Sequence, residues 1–461
     1  METLKTLVTP SEIITPSSPT FPSETSVWAA QRDLKPALVI RPQTTKSLSR
    51  VIAHLTNSDL DFVVRSQGFG GASARDVVVS LTAFDAFEFV REEEVVYLGA
   101  GQSWGEYYRK MEEVAPEWTI VAARTPDIGV GGTTLSGGFS WLSGEFGCIS
   151  DPENMLDAQI VKLDGSVIWA SEEPELLWAL RGTGGGFGVV TQFKFRARKY
   201  TQTIWAGPIL VPNTPASLIR IAEGIVAMDG GKRVPQVAMF LYMMRKEILQ
   251  EMGAEGDMLV VHAFDALGEA HGREAFGWVL EMQGVVDRTG VMNLRGVAGL
   301  QSAIGQFKNT TLSYWSPLAL PPLTLTPSLL QRAITWYTTL PPSLHASTTL
   351  LFELFCTRAS LSGRAASGWP RPEGFRHVLL LGTGCEVGAG EAVVGEAVRR
   401  VREGAGEVFG GDGEGKGVGV VPNAVEEFHD IEGIFQEHYP KLKELKRMYD
   451  PGNRLKGLMT A

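Results

Sequence analysis

From about residue 37 the chain alternates short β-branched runs with amphipathic or glycine-rich connections. ALVIRPQ reads as a strand, TKSLSRVIAHLTNSD as a helix with Leu48, Val51, Ile52 and Leu55 on one face, and DFVVRSQ as a second strand, together a βαβ unit. DVVVSL and EEEVVYLGAG continue the strands, a helix is predicted around Trp104 to Met111, and AQIVKLDGSVIWAS predicts a hairpin turning at LDG. EEPELLWALRGTGGGFGVVTQFKFRAR adds a short helix, a glycine loop and a closing strand. Small strands with glycine turns, interrupted by helices, predict an α+β domain rather than a long regular parallel sheet.

After residue 200 the elements lengthen. PASLIRIAEGIVAMDG, QVAMFLYMMRKE, DMLVVHAFDA, TTLLFELFC, RHVLLLGTGCEV and EAVVGEAVRRVREGAGEVF predict an antiparallel sheet with helices on one side. NTTLSYWSPLALPPLTLTP reads as a proline-rich aromatic connection at the surface. The terminal helix in IFQEHYPKLKELKRMYDPGNRLKGLM stops at Asp450-Pro451-Gly452. The expected organisation is an extended Ser/Thr/Pro-rich lead-in over 1–30, a cofactor domain over 31–200, a substrate domain over 201–420, and a C-terminal segment over 421–461.

Composition narrows the chemistry. The chain is 44% hydrophobic and 20% charged, and its net charge of -10 carries no basic run able to neutralise a series of phosphates, which argues against nucleic acid and for a small-molecule partner. Cys148, Cys356 and Cys385 show no CxxC spacing, so neither a disulfide framework nor a zinc site is expected, and they read as buried inert thiols. No stretch has the length and apolarity of a signal peptide or membrane span, and the expectation is a cytoplasmic protein.

Three glycine clusters lie in the first 200 residues: RSQGFGGAS, TPDIGVGGTTLSGGFSWLSGEFG and RGTGGGFG. Such clusters let successive backbone N–H groups turn toward an anion, since glycine takes positive φ at little cost. Each alone could be only a tight turn. None is a Walker motif, and GTGGGFG runs into a strand where a Rossmann fingerprint would open a helix. Together they favour a large cofactor with a diphosphate.

The order PALVIRPQTTKSLSRVIA, VVRSQGFGGAS, LGAGQSWGEYY, GVGGTTLSGGFSWLSGEFG and AQIVKLDGSVIWAS resembles the PCMH-type FAD-binding domain of the vanillyl-alcohol-oxidase superfamily, and most closely its berberine-bridge-enzyme-like oxidoreductases. YPKLKELKRMYDPGNRL is similar to that family's closing segment, which returns to the flavin domain. The resemblance implies a two-subdomain FAD-binding domain and a phosphate cradle at Arg65, Ser66, Gln67, Gly68, Phe69, Gly70 and Gly71. Phe69 stands where relatives carry the histidine bonded to the flavin, and Thr125 where bicovalent relatives carry a cysteine. Neither can form the bond, so noncovalent FAD is implied. Gly129, Val130, Gly131, Gly132, Thr133, Thr134, Gly137 and Gly138 are implied near ring and diphosphate, with Gly138 or Phe139 facing the ring, and Ile160 and Val161 as backbone contacts to adenine. SDPEN carries an apparent two-residue insertion relative to the family, leaving Asp151 and Glu153 as alternatives for its aspartate. The Gly185–Gly188 stretch reads as a turn of the chain.

The family's catalytic bases are tyrosine, glutamate or histidine on the substrate sheet or C-terminal segment, which makes Tyr242, Glu353, His377, His429, His438 and Tyr439 candidates. Taken singly, each also suits a cap or core role. Relatives carry Y-x-N before the closing helix; here Asn423 is kept and Val421 replaces the tyrosine. The implied activity is an FAD-linked oxidation of an alcohol or activated C–H in specialised metabolism, with molecular oxygen as candidate acceptor. The alternatives are a cyclase or isomerase without net redox turnover, or a flavin carrier.

Overall fold

The computed structural model describes residues 1–230, 234–245, 256–302, 304–321, 325–354, 363–410 and 418–460. Near the N-terminus, strands Leu38–Ile40, Val77–Ser80 and Phe62–Arg65 run parallel, and the helix Thr45–Thr56 makes the crossover. The Thr44 hydroxyl accepts from the Ser47 amide at 3.1 Å and caps this helix, whose Leu48, Val51, Ile52 and Leu55 are wholly buried against the sheet. A second, five-stranded antiparallel sheet follows, ordered Phe87–Val90, Val95–Gly99, Val189–Arg196, Met155–Val161, Val167–Trp169. Both sheets share one apolar core.

The first thirty residues are not an extended lead-in. Helices Glu2–Thr6 and Phe21–Thr25 form, Leu4 is fully buried, and Ile13–Ile14 pairs antiparallel to Leu38–Ile40. Glu24 enters the core edge, where it accepts from Thr82 at 2.8 Å and lies 3.6 Å from both Arg41 and Arg65. Serine, threonine and proline mark local turns here, but the scattered apolar positions still reach the sheet.

From Ile204 a nine-stranded antiparallel sheet is built, with Ile204–Pro212, Met258–Asp265, Val237–Met244, Thr349–Leu354, His377–Glu386 and Thr311–Leu320 adjacent in that order. Strand alternation gives it two apolar faces. One, carrying Met239, Leu241, Val261, Phe352 and Leu379, packs under the helices Pro215–Gly230, Pro327–Thr338 and Glu391–Phe409. The other, with Ala238, Phe240, Phe264 and Val378, joins the core of the N-terminal domain.

The proline-rich stretch is a strand and not a surface connection: Thr311–Leu320 pairs along its length with His377–Glu386. Pro317 is tolerated because the strand lies next to the sheet edge, its far side being covered only by Gly419–Val420. No helix among the described residues is long and apolar enough to cross a membrane. Cys148 and Cys385 are buried and in no disulfide among the described residues, and Cys356 lies outside the described residues.

The chain end packs back on the N-terminal domain. Lys446, fully buried on the helix Tyr439–Tyr449, donates to Gly186 O at 2.9 Å, Leu455 O at 3.0 Å and Asp450 Oδ2 at 2.7 Å. Arg454 donates to Leu55 O and Leu60 O. The third glycine cluster is thereby held as a turn, with Gly184, Gly185 and Gly186 all at positive φ. Asp450→Ala strips the buried ammonium of its counter-charge, and the expected cost is about 3–5 kcal/mol, read as a lowered midpoint of urea unfolding; an unchanged midpoint would show the pair to be dispensable.

Candidate cofactor and substrate site

The loop after Phe62–Arg65 has the properties of an anion cradle. Arg65, 2% exposed, is spent on structure: its guanidinium donates to Ser23 O at 2.9 Å and Ser26 O at 3.0 Å and faces Glu24. Ser66 Oγ donates to Ala100 O and Gln67 Nε2 to Gly101 O, both at 2.7 Å, fixing the loop against the second sheet. Gly68 sits at φ 72°, where a Cβ would lie 2.5 Å from the Arg65 guanidinium. From Ser66 to Ala72 no backbone N–H finds an acceptor among the described residues; only Ser73 N, on Gly71 O, resumes internal bonding. Unpaired amides are costly where water cannot reach them, and consecutive ones on a glycine loop fit a diphosphate.

The second glycine segment closes on the first. A Cβ at Gly129 would meet Ser66 Oγ at 2.7 Å, and one at Gly131 would meet Ala100 O at 2.9 Å. Val130 N and Gly131 N are bonded to Gln102 O and Ala100 O, so these amides hold the loops together, whereas Gly70 and Gly132 face open space. Thr133 Oγ1 donates to Gly129 O, and Thr134 Oγ1 is buried with no hydrogen-bond partner among the described residues. Gly137 and Gly138 approach protein: their Cβ positions lie 3.4 Å from Trp369 and 2.8 Å from Ile149. Their need for glycine is met within the chain, and Phe139 packs edge-on against Trp369 and Phe375 instead of presenting an open face. The amide run, the open glycines and the orphan hydroxyl fit FAD's diphosphate, so the cradle residues Ser66–Ala72 and the Gly129–Thr134 segment are the ones that would hold it.

Phe69 stacks on Trp28, with centroids 5.6 Å apart, and Lys308 Nζ lies over the ring, 5.0 Å from its centroid. Thr125 Oγ1 donates to Gln301 at 2.9 Å. Ile160 and Val161 require correction as adenine contacts. Both are fully buried in a strand paired on both flanks, with Val189–Arg196 and Val167–Trp169, and leave no open backbone edge. The Asp151/Glu153 alternative also resolves: Asp151 is fully buried, accepts from Cys148 N at 2.8 Å and pairs with Arg371, while Asn154 donates to Phe146 O and Cys148 O.

The sheet face turned toward this domain carries the reactive groups. Across it Phe240 lies opposite His262 on one side and Glu353 on the other. Tyr242, two residues along, is the diagonal neighbour of Glu353. Arg124, directly before Thr125, reaches across to pair with the Glu353 carboxylate, its guanidinium 4.7 Å over the Phe240 ring. Trp141 stacks on Phe240 at 4.3 Å and on Phe264 at 5.3 Å. Burial pushes the Tyr242 phenol up to about 12, so it is a neutral hydrogen-bond donor at neutral pH.

The remaining candidates are elsewhere. His377 is corrected: it lies on the helix-covered face, beside Asp229 of Pro215–Gly230, because its place in the strand alternation matches Leu379 and not Val378. His429 folds onto its own turn, Nδ1 accepting from Glu426 N at 2.8 Å. His438 and Tyr439 sit at the start of the closing helix, His438 against Trp178 and Tyr439 beneath Lys443. None of these joins Tyr242 and Glu353.

Arg124 and His262 escape a sequence reading. Arg124 lies one residue from a position read only for a missing cysteine, and His262 is one polar residue in an apolar strand. His262 is 3% exposed, its Nε2 has no partner, and burial lowers its pKa to about 4. The folded state therefore requires the neutral ring, while the unfolded chain titrates near the ordinary 6.5. Stability from this group is complete above pH 6.5 and is lost as pH falls toward 4, on the order of 3 kcal/mol. Urea midpoints measured from pH 7 to 4 should fall more steeply for the native protein than for His262→Leu, and parallel profiles would rule the linkage out.

An FAD binding domain family matches residues 36–171. The FAD-dependent monooxygenase tpcD of Cochliobolus heterostrophus is 30% identical over 263 residues, 54% of this chain and 48% of its own length. The aligned part thus spans about half of that curated relative. Among solved structures, 6-hydroxy-D-nicotine oxidase of Arthrobacter nicotinovorans matches with a TM-score of 0.80 at 19% identity, covering 99% of this chain and 98% of that one. A berberine bridge enzyme variant matches with 0.77 at 16% identity, covering 96% and 95%. At these identities the structural likeness speaks for the fold, and the sequence matches carry the cofactor. Residues 36–171 thus match an FAD binding domain family, and the whole chain shares its fold with FAD-linked oxidoreductases.

Proposed function

We propose that this protein is an FAD-dependent oxidoreductase that removes a hydride from an alcohol or activated C–H of a small organic molecule, with its flavin held noncovalently. The observation that carries the reading is the meeting of a phosphate cradle and a polar sheet face: Tyr242 and Glu353 face the domain that holds Ser66–Ala72, joined to it through Arg124. FAD, when bound, supplies the hydride acceptor. Tyr242, whose hydroxyl has no hydrogen-bond partner among the described residues, donates to the substrate oxygen and orients it. Glu353 accepts the hydroxyl proton of an alcohol substrate as the hydrogen on carbon leaves as hydride, and Arg124 holds that carboxylate in place. Trp141, Phe240 and Phe264 keep water from this face. Relatives named as oxidases and monooxygenases favour molecular oxygen as the final acceptor, and fungal relatives favour a role in specialised metabolism.

Noncovalent attachment rests on side-chain chemistry, since neither Phe69 nor Thr125 has an atom able to bond the flavin as histidine or cysteine does. Acid precipitation of the purified protein should leave yellow FAD in the supernatant; flavin retained in the pellet would contradict this.

A second reading, a cyclase or isomerase without net redox turnover, draws on Val421, fully buried where relatives carry a tyrosine. Anaerobic bleaching by substrate, followed by peroxide when air is admitted, is expected for the oxidoreductase. Product formed while the flavin stays oxidised would favour the second reading. Tyr242→Phe should lower kcat roughly 100-fold with FAD content unchanged, and full activity in that variant would remove the phenol from the mechanism.

A further inference from the structure

The loop that replaces the covalent anchor is gripped from the other domain. Between helix Leu294–Gly299 and strand Thr311–Leu320 the chain leaves the substrate sheet and docks on both glycine loops. Gly305 N donates to Asp127 Oδ2 at 2.8 Å, Asn309 N to Trp28 O at 2.8 Å, and Lys308 Nζ to Gln67 O at 2.7 Å. Thr125 reaches Gln301 in the same contact. Lys308 thus lies beside the unpaired amides of Ser66–Ala72, over the Phe69 ring, with Arg65 behind it.

We propose that Lys308 is a diphosphate-binding residue supplied by the substrate domain, closing the cradle over FAD and doing noncovalently what the missing histidine bond does in relatives. The inference rests on the FAD reading above and names a residue that the flavin domain itself does not contain. Three features support it. Arg65 is buried beneath Gly68, its terminal nitrogens turned to backbone carbonyls and Glu24 and only Nε unpartnered, whereas Lys308 makes one hydrogen bond, to Gln67 O, and an ammonium has two further donors. The side chain is held in place by stacking of Trp28 on Phe69 and by the docked turn, so little ordering is left for the moment of binding. Burial and the neighbouring Arg65, only partly offset by Asp127 and Glu24, lower its pKa to about 8, a strain that an incoming anion relieves.

The consequence is that cofactor retention depends on docking of the substrate domain. The test uses flavin-loaded protein, diluted stepwise while released FAD is followed by its fluorescence, for the native chain, Lys308→Met and Lys308→Arg at low and high salt. Lys308→Met should raise the dissociation constant roughly 10- to 100-fold and flatten its salt dependence, and Lys308→Arg should recover most of the loss. Riboflavin, which lacks phosphate, should bind native protein and Lys308→Met alike. Native-like FAD retention and salt dependence in Lys308→Met would overturn the inference while leaving the FAD reading intact, as would equal weakening for riboflavin, which marks a structural role. A native protein that binds no FAD would overturn both.

Discussion

Backbone amides with no acceptor are the constraint around which this molecule is arranged. A folded chain satisfies nearly all its buried N–H groups; the Ser66–Ala72 run, partly exposed apart from Gly68, leaves its amides open to water or to an incoming anion. Keeping those amides free requires that the loop be held by other means. Arg65, Ser66 and Gln67 do so by sending their side chains to carbonyls of the lead-in and of the second sheet, and Gly129 and Gly131 allow the neighbouring loop to close at distances no side chain would permit.

The second requirement is a wall opposite the cradle. The nine-stranded sheet provides it by dividing its residues by alternation, one face under helices and the other against the flavin domain. The contact is aromatic where Trp141 lies on Phe240 and Phe264, and ionic where Arg124 meets Glu353. Removing two charges from water is expensive, and such a pair is retained where geometry matters more than stability. Here the pair fixes the Glu353 carboxylate on the sheet face turned toward the N-terminal domain. The Lys446 and Asp450 pair serves a comparable purpose at the third glycine cluster, tying the chain end to a turn.

Phe69, at the position where the resemblance places a histidine, has its own set of neighbours. Phe69 is not simply a gap in the family pattern, because Trp28 from the lead-in and Lys308 from the substrate domain enclose its ring. Two segments with no flavin signature of their own thus touch the glycine loop.

Local pattern was enough for the βαβ unit, the LDG hairpin, the glycine loops and the closing helix, because each depends on periodicity or on φ preferences within a few residues. It was also enough for the cofactor. It misjudged the lead-in and the strand Thr311–Leu320, where Ser, Thr and Pro suggested loose chain and long-range pairing prevailed. Arg124, His262 and Lys308 could be recognised only in the folded molecule. None carries a motif of its own, and each meets a partner far along the chain: Glu353, the Trp141 ring or Gln67. A sequence specifies which faces are apolar and where the backbone can bend, but which charge meets which across two domains is decided by packing, since the pairing energy exists only once water has been excluded.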